Sequence, residues 1–205
     1  MAKLVTNAYE KIKFDKYKER HFPALWWTIF FLILVVHCCW IFLDKTPPSW
    51  DMAYHEIKGL EFSRYYSQSN LLLNFPKIST YYPPLYYLQE ALVFSIFPNS
   101  QFFVFFSNIT AFFMLGYSTY RIALYFMDDL VAQICGVLTL LFPLVAWTSR
   151  LSLLDVPLAG WVAMSGYLVL KSNFLQKKSW TILMGLTIAA GMLTKWTFIL
   201  FLSPL

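Results

Sequence analysis

Long apolar runs alternate with polar interruptions along this chain. Predominantly apolar stretches run over 22–43, 101–126, 131–147, 151–170 and 180–203. About twenty apolar residues in a helix cross the hydrocarbon core of a bilayer, so each run predicts a membrane span, the shorter ones only if their flanks enter too. The polar interruptions set the topology. Residues 1–21 carry Lys3, Lys11, Lys13, Lys16, Lys18 and Arg20 against Glu10, Asp15 and Glu19. Positive charge beside the first span predicts a cytoplasmic N-terminal segment, and Lys171, Lys177 and Lys178 then fall inside again. That arrangement puts 44–100 and 148–155 on the outer face, with Asp128-Asp129 as a tight inner turn. The expected fold is all-α: a polytopic transmembrane helical bundle with a long outer first loop carrying short juxtamembrane helices.

The long loop has its own pattern. Pro47-Pro48 stops the first span, and Ser49 offers an N-cap. Ala53, Ile57, Leu60 and Arg64 recur at helical spacing, which predicts a surface helix over 50–66. Residues 67–83 read as irregular, with Tyr82 extended before Pro83-Pro84. The apolar run 85–97 is too short to span and reads as interfacial or re-entrant. A long connection without a core of its own points to function.

Composition agrees with the pattern. The chain has 205 residues, 59% hydrophobic, 20% aromatic and 13% charged. Soluble domains carry about 25% charged residues. The net charge of +5 bears on orientation and gives no reason to expect nucleic acid. Cys38, Cys39 and Cys135 sit in apolar runs without metal-ligand spacing and read as small hydrophobes. Asn108-Ile109-Thr110 falls at membrane depth, where a glycosylation sequon has no meaning. His37 is the odd residue of the first run and reads as a satisfied or interface-facing histidine. Trp26, Trp27 and Trp40 read as an aromatic belt. The last run is still in progress at Leu205, the expected look of a piece of a longer protein that is inactive alone.

The candidate chemistry lies on the outer face. Asp51 follows the first span, Arg150 and Asp155 bracket the second outer loop, and Lys195 lies roughly 22 Å along the last helix from Trp180. Ionisable groups inside or beside a span are costly and suggest function. Each also has a structural reading. Asp51 would favour a helix N-terminus, and Asp155 would cap the fourth span with Pro157 in its first turn. Lys195 would snorkel beside Trp196. Arg150 would pair with Asp155 or a lipid phosphate. His55 and Glu56 are neighbours, and adjacent helical residues point apart, which makes them a poor metal pair. Tyr81, Tyr82, Tyr86 and Tyr87 read as an aromatic belt or a platform for a sugar. An outer carboxylate with nearby cations suits transfer from a lipid phosphate, where the base takes a nucleophile's proton and the cations take up leaving-group charge.

Four stretches resemble the N-terminal part of the GT-C membrane glycosyltransferases, in the branch of protein O-mannosyltransferases and aminoarabinose transferases. They are Trp50-Asp51-Met52-Ala53-Tyr54-His55, Tyr82-Pro83-Pro84-Leu85-Tyr86-Tyr87, Ser149-Arg150 through Asp155-Val156-Pro157-Leu158, and Gly191-Met192-Leu193-Thr194-Lys195-Trp196. The resemblance covers 22–205. It implies inverting transfer of a sugar from a polyprenyl-phosphate donor, with Asp51 as the catalytic carboxylate and Asp155 helping to build the site. Arg150, Lys195, His55 and Tyr82 are assigned to substrate binding, with Arg150 or Lys195 facing the donor phosphate on physical grounds. No metal ligand is assigned. Many relatives have Asp-Glu where this chain has Asp51-Met52, and aminoarabinose transferases have Glu-Lys where it has Tyr81-Tyr82, so no cofactor is certain and a divalent metal is the one left open. The expected partners are the polyprenyl-phosphate sugar, membrane lipid and an acceptor of unstated class. The expected location is a prokaryotic cell membrane, or the endoplasmic reticulum if the source is eukaryotic. A multi-pass transporter or lipid flippase, with Asp155 and Lys195 as a buried pair, is the alternative.

Overall fold

The computed structural model describes residues 23–44, 46–67, 81–97 and 104–202; the side chains of Ile41, Tyr66 and Ser67 are not among those described. The expected cytoplasmic segment 1–21, most of the irregular stretch 67–83 and the start of the run at 101 lie outside these residues. Among the described residues the chain is all-helical. In order the helices are α1 (Ala24–Leu43), α2 (Trp50–Ser67), α3 (Leu85–Ile96), α4 (Phe105–Ala123), α5 (Asp129–Leu141), α6 (Pro143–Thr148), α7 (Asp155–Lys171), α8 (Lys178–Met192) and α9 (Phe198–Leu202).

The core forms where α1 packs on α4 and α5. Trp26, Phe30 and Ile33 of α1 meet Phe112, Tyr120, Ala132 and Leu140. Trp26 is fully buried, stacks on Phe30 at 5.2 Å, and donates its backbone N–H to Gln133 Oε1 at 3.1 Å. Trp26 is therefore core rather than belt. Trp40, at the other end of α1, is exposed. The α4–α7 contact is close because Gly160 has no side chain. A Cβ there would lie 2.5 Å from the Ala111 carbonyl oxygen. The inner turn is fixed by its acids: Asp128 caps α5 by accepting from the Val131 N–H at 3.0 Å, and Asp129 accepts from Gln133 Nε2 at 2.7 Å.

The apolar runs do not all become single helices. The stretch 131–147 breaks at Phe142, because Pro143 at the start of α6 cannot donate to the helix before it. The stretch 180–203 breaks between α8 and α9. Among the described residues, no helix is long and apolar enough to cross a membrane. α5, α7 and α8 hold 13, 17 and 15 residues, fewer than the roughly twenty a span needs. α4 has 19 residues but includes Asn108 and Arg121. α1 comes nearest with 20 residues; with Ile41 outside the described side chains, its described run is Ala24–Trp40.

Polar residues hold the outer connections in place. His37 is buried in α1. Its Nδ1 lies 2.9 Å from the Ile33 carbonyl and its Nε2 3.0 Å from Ser149 Oγ, so the satisfied reading describes it. Asn108 donates to the Ser149 and Leu151 carbonyls at 3.2 and 2.7 Å. Together they clamp residues 149–151, which fixes where Arg150, Ser152 and Asp155 emerge.

Candidate functional site

The loop helices α2 and α3 pack against each other around Phe62, Tyr86 and Tyr87. α2 begins at Trp50, whose φ of 31° is unusual for a residue with a side chain. Asp51 follows in the first turn, exposed. His55 lies four residues on, hence on the same face. It is buried among Tyr54, Tyr82, Tyr86 and Tyr87, and its Nδ1 lies 3.1 Å from the Tyr87 hydroxyl. Burial pushes the imidazole down to about 4, with Lys195 adding to the fall while Asp51 and Asp155 oppose it. His55 is therefore neutral near pH 7.

A second strand of contacts reaches this face from residues far away in sequence. Lys195 Nζ donates to Asp155 Oδ1 at 3.0 Å and lies 5.9 Å from the centre of the Tyr82 ring. Nearby, the Leu85 N–H donates to the Leu193 carbonyl at 2.9 Å and Trp196 Nε1 to the Tyr81 carbonyl at 3.2 Å. The break between α8 and α9 is thus stitched to the double-proline turn. Five of the candidate residues, Asp51, His55, Tyr82, Asp155 and Lys195, come together. Asp155 falls in the first turn of α7, after the N-cap position at Leu154, and its carboxylate accepts from Lys195. Lys195 is mostly covered rather than extended to an interface.

Arg150 does not join this cluster, and it does not pair with Asp155. Its guanidinium lies 4.3 Å from the centre of the Trp40 ring. Arg150 lines a cavity of about 270 Å³ with Trp40, Ser49, Met52, Glu56 and Ser152. Met52 and Glu56 are a turn apart on α2, on a different face from Asp51 and His55. Burial pushes the Glu56 carboxyl up to about 7. Among the described residues it makes no hydrogen bond or ion pair. Behind the cavity, Glu90 of α3 is fully buried and accepts a hydrogen bond from Ser152 Oγ. Burial first, and Glu56 to a smaller extent, push it up to about 8, while Ser152 and Tyr86 oppose the rise. Glu90 crosses α2 at Gly59, where a Cβ would lie 2.7 Å from its Oε2.

The sequence reading passed over Glu90 and gave Glu56 only a weak metal role. The signal for Glu90 was a lone acid in an apolar run, four residues after Tyr86. Among the described residues no three His, Cys, Asp or Glu side chains gather to hold a metal ion. The arrangement offers an accessible carboxylate, a lysine beside a second carboxylate, a neutral imidazole and a separate arginine cavity. No protein-family model, curated protein or solved structure matches the chain.

Proposed function

We propose that this chain belongs to a membrane glycosyltransferase that moves a sugar from a polyprenyl-phosphate donor to an acceptor hydroxyl at the outer or luminal face. In that reaction Asp51 takes the acceptor proton. The acceptor oxygen bonds to the sugar's anomeric carbon as the bond from that carbon to the phosphate oxygen breaks, with inversion. Polyprenyl phosphate leaves, and Arg150 or Lys195 meets its negative charge. His55 and Tyr82 line the approach to Asp51. The observation that carries the reading is the meeting of Asp155 and Lys195 beside His55 and Tyr82 on the Asp51 face of α2. Lys195 meets Asp155 from 40 residues away, and the neighbouring Trp196 binds Tyr81 from 115 residues away, so distant segments converge on one place.

A membrane location is supported by the outward apolar surface. Phe31, Leu32, Val35, Val36, Phe42 and Leu43 are exposed along α1, and Leu138, Leu186 and Phe201 on other helices. Contiguous apolar surface of this kind marks an interaction or lipid-facing side. Most of this exposed apolar surface lies on α1, a helix of 20 residues. α2 and α3 lie outside the proposed spans.

One observation favours a transporter instead: helix breaks at Phe142–Pro143 and between α8 and α9, the second beside Lys195. Broken helices line substrate sites in transporters. Membranes carrying the full-length protein separate the two readings. Transfer of labelled sugar from polyprenyl-phosphate donors to acceptor supports the enzyme; movement of the donor across the bilayer without transfer supports the transporter and refutes the enzyme.

A further inference from the structure

We propose that the Arg150 cavity holds the sugar-phosphate headgroup of the donor and that Glu56 is the residue that recognises the sugar. This rests on the glycosyl-transfer reading and places the donor headgroup on the Met52–Glu56 side of α2, with Asp51 beside Met52 at the start of the same helix to meet the acceptor.

Among the described residues the cavity holds one cation, Arg150, and the carboxylate of Asp44 lines it as well. Burial disfavours the charge on Arg150, and Asp44 is the group that offsets it. Asp44 is already committed: its Oδ1 accepts from the Thr46 N–H and hydroxyl at 3.0 and 2.6 Å, and its Oδ2 from Trp40 Nε1 at 2.9 Å. Arg150 itself makes no ion pair among the described residues. Stacking on Trp40 holds the guanidinium in place and leaves its N–H groups for a ligand, and a phosphate is the anion that fits such a fork.

The remaining walls suit a sugar. Ser49, Ser152 and Glu56 offer hydroxyls and a carboxyl, while Trp40, Trp147 and Pro48 offer apolar faces. Glu56 is half-buried and has no hydrogen-bond or ion-pair partner among the described residues, so its hydrogen-bonding capacity is available to a ring hydroxyl. A protonated carboxyl both donates and accepts without repelling the phosphate opposite, and the upward push on Glu56 favours that form. The volume of about 270 Å³ lies just under the ~300–1,000 Å³ of pockets for larger ligands. It suits one monosaccharide with its phosphate. The cavity also opens beside the exposed end of α1 at Trp40, the side from which a lipid chain would lie along the apolar surface.

The test is binding by the full chain in lipid nanodiscs. Three probes are used: short-chain polyprenyl phosphate, the same lipid carrying a hexose, and the free hexose 1-phosphate. R150Q is expected to weaken both lipid probes at least tenfold, the loss of a charge-assisted contact. E56A is expected to weaken only the sugar-bearing lipid, about tenfold, and E56Q, which keeps a donor and an acceptor, to restore most of it. Equal thermal midpoints show that the variants fold alike. The proposal is overturned if wild type binds no probe, if E56A affects both lipids equally or neither, or if the free hexose phosphate binds as tightly as the lipid. Selective binding without any sugar transfer would remove the enzyme reading and leave the pocket assignment standing; transfer with binding indifferent to E56A would do the reverse.

Discussion

Replacing Glu90 with Gln changes one atom in the interior, and its consequence depends on pH. The folded chain holds this carboxyl at about 8 against an ordinary 4.5, with no exposed surface. Between those values the unfolded chain has released the proton and the folded chain keeps it. Stability therefore falls as pH rises from about 4.5 to about 8 and levels off above that. At about 1.4 kcal/mol for each pH unit between the two values, the limiting loss is about 5 kcal/mol, a large share of a typical stability of roughly 5–15 kcal/mol. Gln has no proton to lose and can still accept from Ser152. Wild type and E90Q are therefore expected to unfold alike at pH 5, and E90Q to be the more stable by a few kcal/mol at pH 9. The assay is denaturant or thermal unfolding of both proteins in one detergent across that range. Parallel curves at every pH would refute the claim that Glu90 is buried in protonated form.

Other outcomes follow from the same geometry. K195M removes an ion pair whose carboxylate is exposed, so thermal stability should change by less than about 1 kcal/mol, whereas sugar transfer should fall at least a hundredfold; a small loss in both would make the pair merely structural. G160V drives a side chain into the Ala111 backbone, which cannot step aside, and should cost about 1–3 kcal/mol. G185A, with nothing within 4 Å of the added Cβ, should leave the melting temperature unchanged or raise it slightly. His55 is held down to about 4 against its ordinary 6.5, so its contribution to stability is full above about pH 6.5 and drains away as pH falls towards 4. An H55F variant should lose that slope in unfolding experiments from pH 4 to 7.

The sequence made the loop helix legible to within a residue of its observed end at Ser67, but not its packed face: Ile57 of the predicted stripe is exposed, and His55, Gly59 and Phe62 are buried instead. It also placed Asp155 and Lys195 on one side, since charge and span order both constrain topology. The pairing itself was not readable. Arg150 looked as suitable a partner for Asp155 as Lys195 did, and the choice is made by the clamp of His37 and Asn108 on 149–151, a tertiary effect. Pro143 announced the break before α6 and was read through because the run around it stays apolar. The break between α8 and α9 contains no proline and had no comparable signal. Glu56 and Glu90 were missed as a pair because their nearness depends on how α2 crosses α3 at Gly59, which no periodicity encodes.

The central claim is that the acid at the head of α2 performs glycosyl transfer. It is tested most directly with the full-length protein in membranes, labelled polyprenyl-phosphate sugars and the Asp51→Asn variant at equal expression and equal melting temperature. The account predicts transfer by the wild type and a loss of at least a hundredfold in the variant, with donor binding retained. Equal transfer by both proteins would contradict it.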